Sequence, residues 1–472
     1  MSVRAGVAES VPDAPGLRRG IGLLDATMLV VGSMIGSGIF IVSAESARRL
    51  GSPAWLLLVW IIAGLSTMAA AICCAELAAM LPKAGGQYVF FREAYGPLAG
   101  FLFGWTMFLV IQTGTIAAVA VAFAKFLGVL VPQISESRVL FSAGPLSVSS
   151  SQAVALLVVA ILTATNATGL KAGTRVQNLF TFAKYAALAA LTLLGLALGR
   201  GGALTEPGFF GPVQYEGIPL AGGALAIAVA TAMVGPLFSQ SAWNNVTFAG
   251  EEIRDPGRTL PRALMVGCLL VTVTYVLANL AYLKTLFLPA IANAPQDRVA
   301  TAAATALLGN GAAAAMAAAI MVSTFGCVNG LILSGARVSF AMARDGLFFS
   351  RLSRVNRANV PGEALWAQAA WTGVLVLSGN YTALLKYVVS IDIAYYVLLV
   401  LAVIVLRRRL PDLPRPFRAP WSPALPLLYA VGGVVLIVLL LWGNPKTTWP
   451  GYALAAAGIP VYWLWRRRAR IS

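Results

Sequence analysis

The sequence predicts an all-α membrane protein with twelve transmembrane helices. Apolar residues make up 59% of the 472-residue chain and charged residues only 11%, whereas soluble proteins contain roughly 45–50% and about 25%. A soluble chain of this size could not cover its surface with so few charges. The apolar residues also form runs of about 20 residues, the length that an α-helix needs to cross about 30 Å of hydrocarbon.

Twelve apolar runs define the predicted spans. They lie near residues 21–43, 54–81, 97–131, 152–169, 176–199, 221–250, 262–288, 312–343, 364–379, 382–406, 424–443 and 449–465. The third, sixth and eighth runs are longer than the membrane requires, so we expect tilt, breaks or extensions beyond the membrane there. A short helix outside the membrane is expected at 298–310. Because no loop is long enough to form a domain, residues 21–466 are predicted to be a single transmembrane domain.

The basic residues predict the orientation of these spans. The chain has 34 Lys and Arg residues and a net charge of +17. If the N-terminus is cytoplasmic, 24 of them lie on the cytoplasmic side, seven lie outside and three lie within spans. The positive-inside rule therefore predicts a cytoplasmic tail at 1–20 and a cytoplasmic C-terminus at 467–472. This placement explains the basic charge without a nucleic acid partner and leaves the lipid bilayer as the expected surroundings.

Residue usage argues against several classes of function. Histidine is absent, and the four cysteines, Cys73, Cys74, Cys268 and Cys327, all lie inside apolar runs. The sequence therefore offers no metal-ligand cluster and no visible nucleophile–base pair. It also has no repeated filter motif or charged ring that would indicate a channel. These observations favour a carrier over an enzyme, and we expect no metal or other cofactor.

The first run is predicted to contain a broken helix. Three glycines and two serines lie near its middle, between Gly32 and Gly38, and each interior glycine costs about 0.8–1 kcal/mol of helix propensity relative to alanine. Unwound backbone at this depth is tolerated where it lines a cavity. In transporters such breaks bind anionic groups at half-helix N-termini and cations at free carbonyls. An amino acid zwitterion carries both groups, although Gly32 and Gly36 could instead form a close helix-packing face.

The sixth run has a second interruption. Gly235-Pro236 is followed by a segment rich in polar side chains, from Ser239 to Asn245. Proline removes a backbone donor from a helix; the alternative is a simple proline kink packed against neighbouring helices. Breaks in the first and sixth helices fit two five-helix halves related as inverted repeats. The predicted parts are repeat one at about 21–199, repeat two at about 221–406, and helices eleven and twelve at about 424–465.

Further motifs occur in order along the chain. They are Gly36-Ser37-Gly38-Ile39-Phe40, Ala75-Glu76-Leu77 with Lys83-Ala84-Gly85-Gly86-Gln87-Tyr88, Thr174-Arg175-Val176-Gln177 with Lys184, Trp243-Asn244 with Glu251-Glu252-Ile253 and Leu260-Pro261, and Phe325-Gly326-Cys327-Val328-Asn329-Gly330. Together they resemble the amino acid–polyamine–organocation (APC) superfamily and, within it, the L-amino acid transporter (LAT) family. The resemblance covers nearly the whole chain after residue 20. It implies a twelve-helix fold with a five-plus-five inverted repeat and transport by alternating access.

The resemblance also implies a substrate site between the two broken helices. The implied contacts are the backbone N–H groups of Gly36, Ser37 and Gly38 for the substrate carboxylate, and the carbonyls of Met34, Ile35, Phe238 and Ser241 for its amine. Phe238 resembles the aromatic gate over the site, with Trp243 nearby. Relatives often carry glycine at Ser241-Ala242, so we expect a smaller side-chain pocket that favours alanine, serine or glycine.

Charged residues and a tyrosine complete the predicted site. Lys184 resembles a lysine that occupies the place of a sodium ion in similar transporters, which implies sodium independence; a snorkelling or proton-carrying lysine is the alternative. Asp392, mid-span in helix ten, is a structural partner, a contact for a substrate amine or basic side chain, or a proton site. Tyr275 matches a tyrosine of the cytoplasmic gate or packs in the core. Glu76 and Asp25 are expected to anchor the inner gate against arginine or lysine.

These residues predict a sodium-independent carrier of L-amino acids that works as an exchanger or a proton symporter. Small neutral substrates are favoured, and the alternative is a carrier of cationic amino acids or polyamines with Asp392 as the charge partner. The loop at 132–150 has no cysteine, so we do not expect the disulfide that links animal relatives to a heavy chain. Compact loops without external cysteines favour a bacterial inner membrane protein.

Overall fold

The structure is a computed structural model that describes residues 17–143, 146–206, 208–215, 217–309, 311–378 and 381–468. Its α-helices are α1 (Leu23–Met34), α2 (Gly38–Leu50), α3 (Pro53–Met80), α4 (Gln87–Tyr95), α5 (Pro97–Thr106), α6 (Gln112–Leu130), α7 (Ser150–Ala167), α8 (Leu170–Leu198), α9 (Gly222–Ser239), α10 (Asn245–Phe248), α11 (Pro256–Thr285), α12 (Leu288–Ala292), α13 (Val299–Leu308), α14 (Ala312–Arg344), α15 (Gly362–Ser378), α16 (Tyr381–Arg409), α17 (Ala424–Gly443), α18 (Pro445–Ala456) and α19 (Gly458–Arg468). Two hairpins pair β1 (Val139–Ala143) with β2 (Leu146–Ser149) and β3 (Gln214–Tyr215) with β4 (Ile218–Pro219). Most of the predicted N-terminal tail, 1–16, and the last residues of the predicted C-terminus, 469–472, lie outside the described residues.

Ten helices in the described part of the chain are long and apolar enough to span a membrane. They are α1 with α2, α3, α5 with α6, α7, α8, α9, α11, α14, the segment Val389–Arg409 of α16, and α17. Of the two other predicted spans, α15 has 17 residues, and the run near 449–465 is divided between α18 and α19. The helical membrane fold is confirmed, whereas the number of twelve spans stays a prediction. The expected short helix at 298–310 is present as α13.

Local sequence signals fix the ends of several helices. Ser149 and Gln152 form a reciprocal capping box that begins α7, with the Gln152 N–H donating to Ser149 Oγ at 3.2 Å. Gly51 ends α2 with a φ of 56°, in the left-handed region that glycine adopts without strain. Pro53 follows as the first residue of α3, where its missing N–H costs no hydrogen bond. A short turn therefore connects α2 to α3.

A π-helical turn at Met107–Ile111 joins α5 to α6. Such turns rotate the helix that follows and occur frequently at functional sites. Gln112, the first residue after the turn, donates from Nε2 to the Leu331 carbonyl of α14 at 2.8 Å. The turn thus positions α6 against α14.

The two interrupted helices lie in different surroundings. The α1 segment packs against α8, α11 and α14, all of which are long spanning helices. The α9 segment packs against α2, α3 and α17, and α17 is itself mostly exposed. The first helix is therefore enclosed by protein, whereas the sixth lies near the outer face of the bundle.

Candidate functional site

The first broken helix is unwound between Met34 and Gly38. The α1 helix ends at Met34, Ile35 has extended backbone angles of φ −78° and ψ 91°, and α2 begins at Gly38. The first N–H groups of a helix have no partner within that helix, so the start of α2 offers donors to an anionic group. The break predicted between Gly32 and Gly38 is present in the structure.

The second break lies in the polar segment that follows Pro236. The α9 helix continues through Pro236 and ends at Ser239, and residues 240–244 are unwound before α10. Pro236 cannot donate to the Ala232 carbonyl one turn earlier. The Ser46 hydroxyl of α2 donates to this carbonyl instead, at 3.4 Å. Pro236 itself stays helical, and the unwound residues 240–244 lie within the polar segment, Ser239 to Asn245, that is part of the interruption predicted from the sequence.

The second break is stabilised by local contacts and carries a left-handed residue. The N–H and hydroxyl groups of Ser241 both donate to the Phe238 carbonyl, at 3.0 and 2.7 Å. Ala242 has a φ of 65°, a conformation that favours glycine. This is the position where the resemblance implies that relatives often carry glycine.

The two breaks are adjacent because two glycines allow close approach. A Cβ atom on Gly38 would lie 2.2 Å from Ser239 Oγ, and one on Gly235 would lie 2.4 Å from a methyl group of Val42. Neither distance is possible for real atoms in contact. The backbones of α2 and α9 therefore pack together only with glycine at these positions, and the start of α2 faces the end of α9.

Lys184 of α8 lies directly against the first break. Its side chain is fully buried, and Nζ donates to the Gly32 carbonyl at 2.5 Å and the Ile35 carbonyl at 2.6 Å. The Ser323 carbonyl of α14 is 3.4 Å away. Coordination of a cation by unwound carbonyls is the arrangement that transporters use for a coupling ion. Here the cation is an ammonium group of the chain itself, and its burial excludes a snorkelling lysine.

The carbonyls of Met34 and Ile35 each have two donors within hydrogen-bond distance. Met34 O accepts the N–H of Gly36 at 2.9 Å and the Tyr275 hydroxyl at 3.2 Å. Ile35 O accepts the lysine ammonium and lies 3.3 Å from the Ser323 hydroxyl, whose single proton is shared with the Gly36 carbonyl at 3.0 Å. A carbonyl oxygen has two lone pairs. Met34 O therefore has no free acceptor position for a substrate amine in this conformation, and Ile35 O has at most the position that faces the shared Ser323 proton.

Tyr275 is a buried contact of the first break. Its ring packs edge-on against Trp60, with the centroids 5.5 Å apart, and the residue is fully buried. The tyrosine links α11 to α1 through its hydroxyl while its ring joins the core. The core packing predicted as one alternative for Tyr275 is present, and the role of this tyrosine in a cytoplasmic gate stays a prediction.

Two cavities meet at a wall formed by predicted site residues. The larger cavity, about 600 Å³, lies between α3, α9, α16 and α17. The smaller cavity, about 20 Å³, lies between the π-helical turn, the second break and α16. Both cavities are lined by Phe238, Ser241, Asp392 and Tyr396. Trp243 lines the larger cavity, and its ring stacks on that of Tyr396 with centroids 5.3 Å apart.

Asp392 is half-buried at this wall. The Tyr396 hydroxyl is hydrogen-bonded to the Asp392 carboxylate and also lies 3.4 Å from the Asn244 side-chain oxygen. No basic side chain among the described residues contributes to the electrostatic surroundings of Asp392. A carboxylate with one neutral partner next to a cavity can accept hydrogen bonds from a ligand.

The smaller cavity has several polar side chains in its lining. Gln112, Thr115, Asn244 and Asn245 line it, and its volume accommodates about one water molecule. Asn245 Nδ2 is buried and has no hydrogen-bond partner among the described residues. Because buried donors are nearly always satisfied, this cavity fits a water molecule or a small polar group of a ligand.

Ion pairs connect different helices and loops at one end of the bundle. We call this the arginine-rich end, because α14 and α16 finish there at Arg344 and Arg409. Arg337 binds both carboxylate oxygens of Glu252, at 2.6 and 2.8 Å, and both side chains are fully buried. Glu76 pairs with Arg407 at 2.6 Å, so the predicted basic partner is present, and the role of this pair in an inner gate stays a prediction. Removing one partner of a buried ion pair is strongly destabilising.

Smaller contacts complete this end. The Tyr88 hydroxyl of α4 donates to the Asp345 carboxylate at 2.6 Å. Burial and the nearby Asp345 carboxylate raise the pKa of Tyr88 well above its usual value, so the donor stays protonated. Asp25 accepts from the Asn178 amide at 2.7 Å, so its described partner is an amide rather than the expected arginine or lysine.

The predicted site residues fall into three groups in the structure. The groups are Met34, Ile35, Gly36, Ser37 and Gly38 in the first break, Lys184 and Tyr275 bonded to that break, and Phe238, Ser241, Trp243 and Asp392 around the second break and its cavities. Sequence reasoning missed Ser323 and Tyr396. Tyr396 follows Asp392 by one helical turn, and this spacing could have indicated a shared face. Ser323 lies in an alanine-rich helix without any distinguishing signal.

Comparisons with known proteins agree with this arrangement. A family model described as amino acid permease matches residues 21–464. The large neutral amino acids transporter small subunit 2 of Mus musculus is 33% identical over 456 residues, covering 95% of this chain and 81% of that protein. The Asc-type amino acid transporter 1 of Mus musculus is 29% identical, covering 96% and 83%, and the serine/threonine exchanger SteT of Bacillus subtilis (strain 168) is 30% identical, covering 96% and 98%. The chain therefore belongs to the amino acid permease family of the APC superfamily and, within it, to the L-amino acid transporters.

Proposed function

We propose that this protein exchanges small neutral L-amino acids across the membrane without sodium. The observation that carries the proposal is the Lys184 ammonium, which occupies the carbonyl cluster of the first break at 2.5 and 2.6 Å. A sodium ion would compete with this charge for the same oxygens. The names of the relatives support the substrate class, since each names amino acids and one names serine and threonine exchange.

The substrate carboxylate is proposed to bind at the start of α2. The N–H groups of Ser37 and Gly38 lie at that helix N-terminus, which favours an anionic group. The Gly36 N–H joins them once it leaves the Met34 carbonyl, to which it donates at 2.9 Å. The amine is proposed to approach the second break, where the Ser241 carbonyl and the Asp392 carboxylate are the nearby acceptors. The Met34 and Ile35 carbonyls can take part once one of their present donors moves away.

The substrate side chain is proposed to point into the smaller cavity. Its volume of about 20 Å³ limits the side chain to a few atoms. The unpaired Asn245 amide offers a donor to a hydroxyl group. Alanine, serine and glycine fit these limits, and a hydroxyl-bearing side chain gains the additional hydrogen bond.

The transport cycle is proposed to follow alternating access in a twelve-helix fold with inverted repeats. The ion pairs Glu252–Arg337 and Glu76–Arg407 close the arginine-rich end, and we assign this end to the cytoplasm, together with both termini, from the distribution of basic residues. Since all four cysteines are buried, we propose that the protein works without a disulfide-linked partner. The resemblance to the bacterial exchanger over 98% of its length supports a bacterial inner membrane.

The test is uptake of labelled alanine into proteoliposomes without sodium. We expect uptake only when the vesicles are preloaded with unlabelled alanine or serine, because an exchanger returns to its starting state only with substrate bound. Uptake into empty vesicles that increases with an inward proton gradient would indicate a symporter instead. Uptake that depends on sodium would contradict the role of Lys184.

Asp392 favours a second candidate, a carrier of cationic amino acids or polyamines. A carboxylate beside the cavity could pair with an additional positive charge. The test is whether arginine or putrescine competes with alanine for uptake. Competition that is lost in Asp392→Asn and kept in Glu136→Gln would support this candidate. Glu136 is a suitable control because it is an exposed carboxylate paired with Lys125 at 3.0 Å. No competition in the wild type supports neutral substrates.

A further inference from the structure

The larger cavity opens on the membrane-facing surface of the bundle. Its lining residues include Leu65 of α3 and Leu428 and Val435 of α17, which are 64%, 74% and 53% exposed. All three lie on helices long and apolar enough to span the membrane. The mouth of the cavity is therefore continuous with the surface that contacts lipid.

The cavity is long and narrow. Its lining extends from Trp55 to Ala69 on α3 and from Leu425 to Leu439 on α17. Fourteen residues of helix correspond to about 21 Å at 1.5 Å per residue, within a hydrocarbon core of about 30 Å. A volume of about 600 Å³ over that length is the shape of a flexible chain rather than of a compact solute.

We propose that an acyl chain of a bilayer phospholipid occupies this cavity. Most of the lining side chains are apolar, with Ser66, Thr67, Gln240, Ser241 and Asp392 as the exceptions at its inner wall. Water distributed along apolar walls would lack hydrogen-bond partners, and an amino acid zwitterion there would lose hydration without compensation. Hydrocarbon gains dispersion contacts along the whole length and is the bulk component at the mouth.

An acyl chain in this position would contact the second break. Phe238 and Tyr396 line both cavities, so these side chains are the partition between lipid and the proposed substrate side chain. The acyl chain would pack against the side of the Phe238 ring that faces the lipid. Bilayer composition would in this way act on the break that forms part of the substrate site.

Gly432 provides a direct test. It lines the cavity, and a Cβ atom built on it meets no atom within 4 Å. Gly432→Phe should place a ring in the cavity and interrupt its length, with no clash at Cβ. Val434→Phe is the matched control, because Val434 lies two residues away on α17, is 49% exposed and is not part of the lining.

The experiment uses the full protein in vesicles of phosphatidylcholine that carry a photoactivatable diazirine in one acyl chain. After irradiation, labelled residues are identified by peptide mass spectrometry. We expect labelling of Ala230, Val389 and Ile393, which line the cavity but are at most 8% exposed. The labelling should fall at least five-fold in Gly432→Phe and remain in Val434→Phe.

Three results would overturn the proposal. The first is that those buried residues are not labelled in the wild type, and the second is that Gly432→Phe is labelled as strongly as the wild type. The third is that a diazirine fatty acid labels these residues but the diazirine phosphatidylcholine does not. If the phenylalanine variant does not fold, Gly432→Leu replaces it, and the same fall in labelling is expected. Monodisperse elution of each variant checks its fold, and the lipid label does not depend on which substrate is transported.

Discussion

The two helix breaks differ in what holds them. In the first break, buried donors from three other helices, Lys184 of α8, Tyr275 of α11 and Ser323 of α14, are bonded to the unwound carbonyls. In the second break, the backbone carbonyl of Phe238 is bonded within the segment, by Ser241. Both residues of that local contact also line the two cavities. Side chains of this segment reach other helices: Gln240 bonds to Trp60 of α3 and Thr272 of α11, and Asn244 bonds to Gln87 of α4.

This difference separates two tasks within one site. A segment bonded to three buried side chains keeps its shape, because each donor would be left unsatisfied if the segment moved alone. In the second break, the Phe238 carbonyl and the Ser241 hydroxyl are bonded to each other beside the two cavities, so these two residues can adjust at little cost while Gln240 and Asn244 hold the rest of the segment. We infer that the first break is the rigid part that recognises the common groups of amino acids, and the second break determines selectivity and gating.

Lys184→Ala should give the largest effect, a loss of transport of about 100-fold or more. The substitution removes two charge-assisted hydrogen bonds to Gly32 and Ile35, each worth about 1.5–3 kcal/mol, and 1.4 kcal/mol corresponds to a factor of ten. The measurement is the rate of alanine exchange in proteoliposomes, normalised to inserted protein. The control is Lys125→Ala, since Lys125 is 49% exposed and pairs with Glu136 near the end of α6.

An exchange rate for Lys184→Ala within three-fold of the wild type would contradict the rigid role of the first break. Equal losses in the Lys184 and Lys125 variants would indicate a general effect of removing positive charge. The effect of Lys184→Ala would then say nothing about a difference in rigidity between the two breaks.

Ser241→Gly should change selectivity by about ten-fold. The hydroxymethyl group that it removes lines both cavities, while the backbone bond to Phe238 remains. A change of this size in a binding pocket is worth about 1–3 kcal/mol of discrimination. The inhibition of labelled alanine exchange by leucine, relative to inhibition by alanine, is therefore expected to rise.

The matched variant at the first break is Ser323→Ala. The Ser323 hydroxyl donates to the Gly36 carbonyl at 3.0 Å and lines neither cavity in the described part of the chain. It should lower exchange of all substrates alike and leave the ratio of leucine to alanine unchanged. A shift of that ratio in Ser323→Ala, or none in Ser241→Gly, would break the distinction between the two segments.

The breaks could be predicted from sequence because their causes are local. Glycines at 36 and 38 and the polar residues after 238 lower helix stability wherever they stand. The continuation of helix α9 through Pro236 could not be predicted, because the Ala232 carbonyl that lacks a donor there accepts from the Ser46 hydroxyl of another helix. That contact joins residues 186 positions apart and leaves no trace in the local pattern.

The set of side chains that bond to the first break could be predicted only in part. Lys184 was predicted at the break from its resemblance to related transporters, but the hydroxyl of Ser323 was not. The number of spans depends on similar detail, because the apolar run near 449–465 is divided between α18 and α19. Periodicity and composition predict that such helices exist, and tertiary contacts decide where they start, bend and end.

Tyr275→Phe should give a smaller effect that tests the acceptors of the first break. Loss of the hydroxyl contact to Met34 at 3.2 Å removes about 1 kcal/mol, so the maximal exchange rate should fall about five-fold. The same change frees one acceptor position on the Met34 carbonyl. If the substrate amine uses that carbonyl, the alanine concentration for half-maximal exchange should also fall.

The control for that prediction is Tyr282→Phe. The Tyr282 hydroxyl lies 3.4 Å from the Ile39 carbonyl, outside the proposed amine contacts. Removing it should lower the exchange rate less and leave the half-maximal concentration unchanged. An unchanged half-maximal concentration in Tyr275→Phe would instead assign the amine to the acceptors of the second break, Ser241 and Asp392. The second break, which can adjust, would then recognise the amine, and the rigid first break would not.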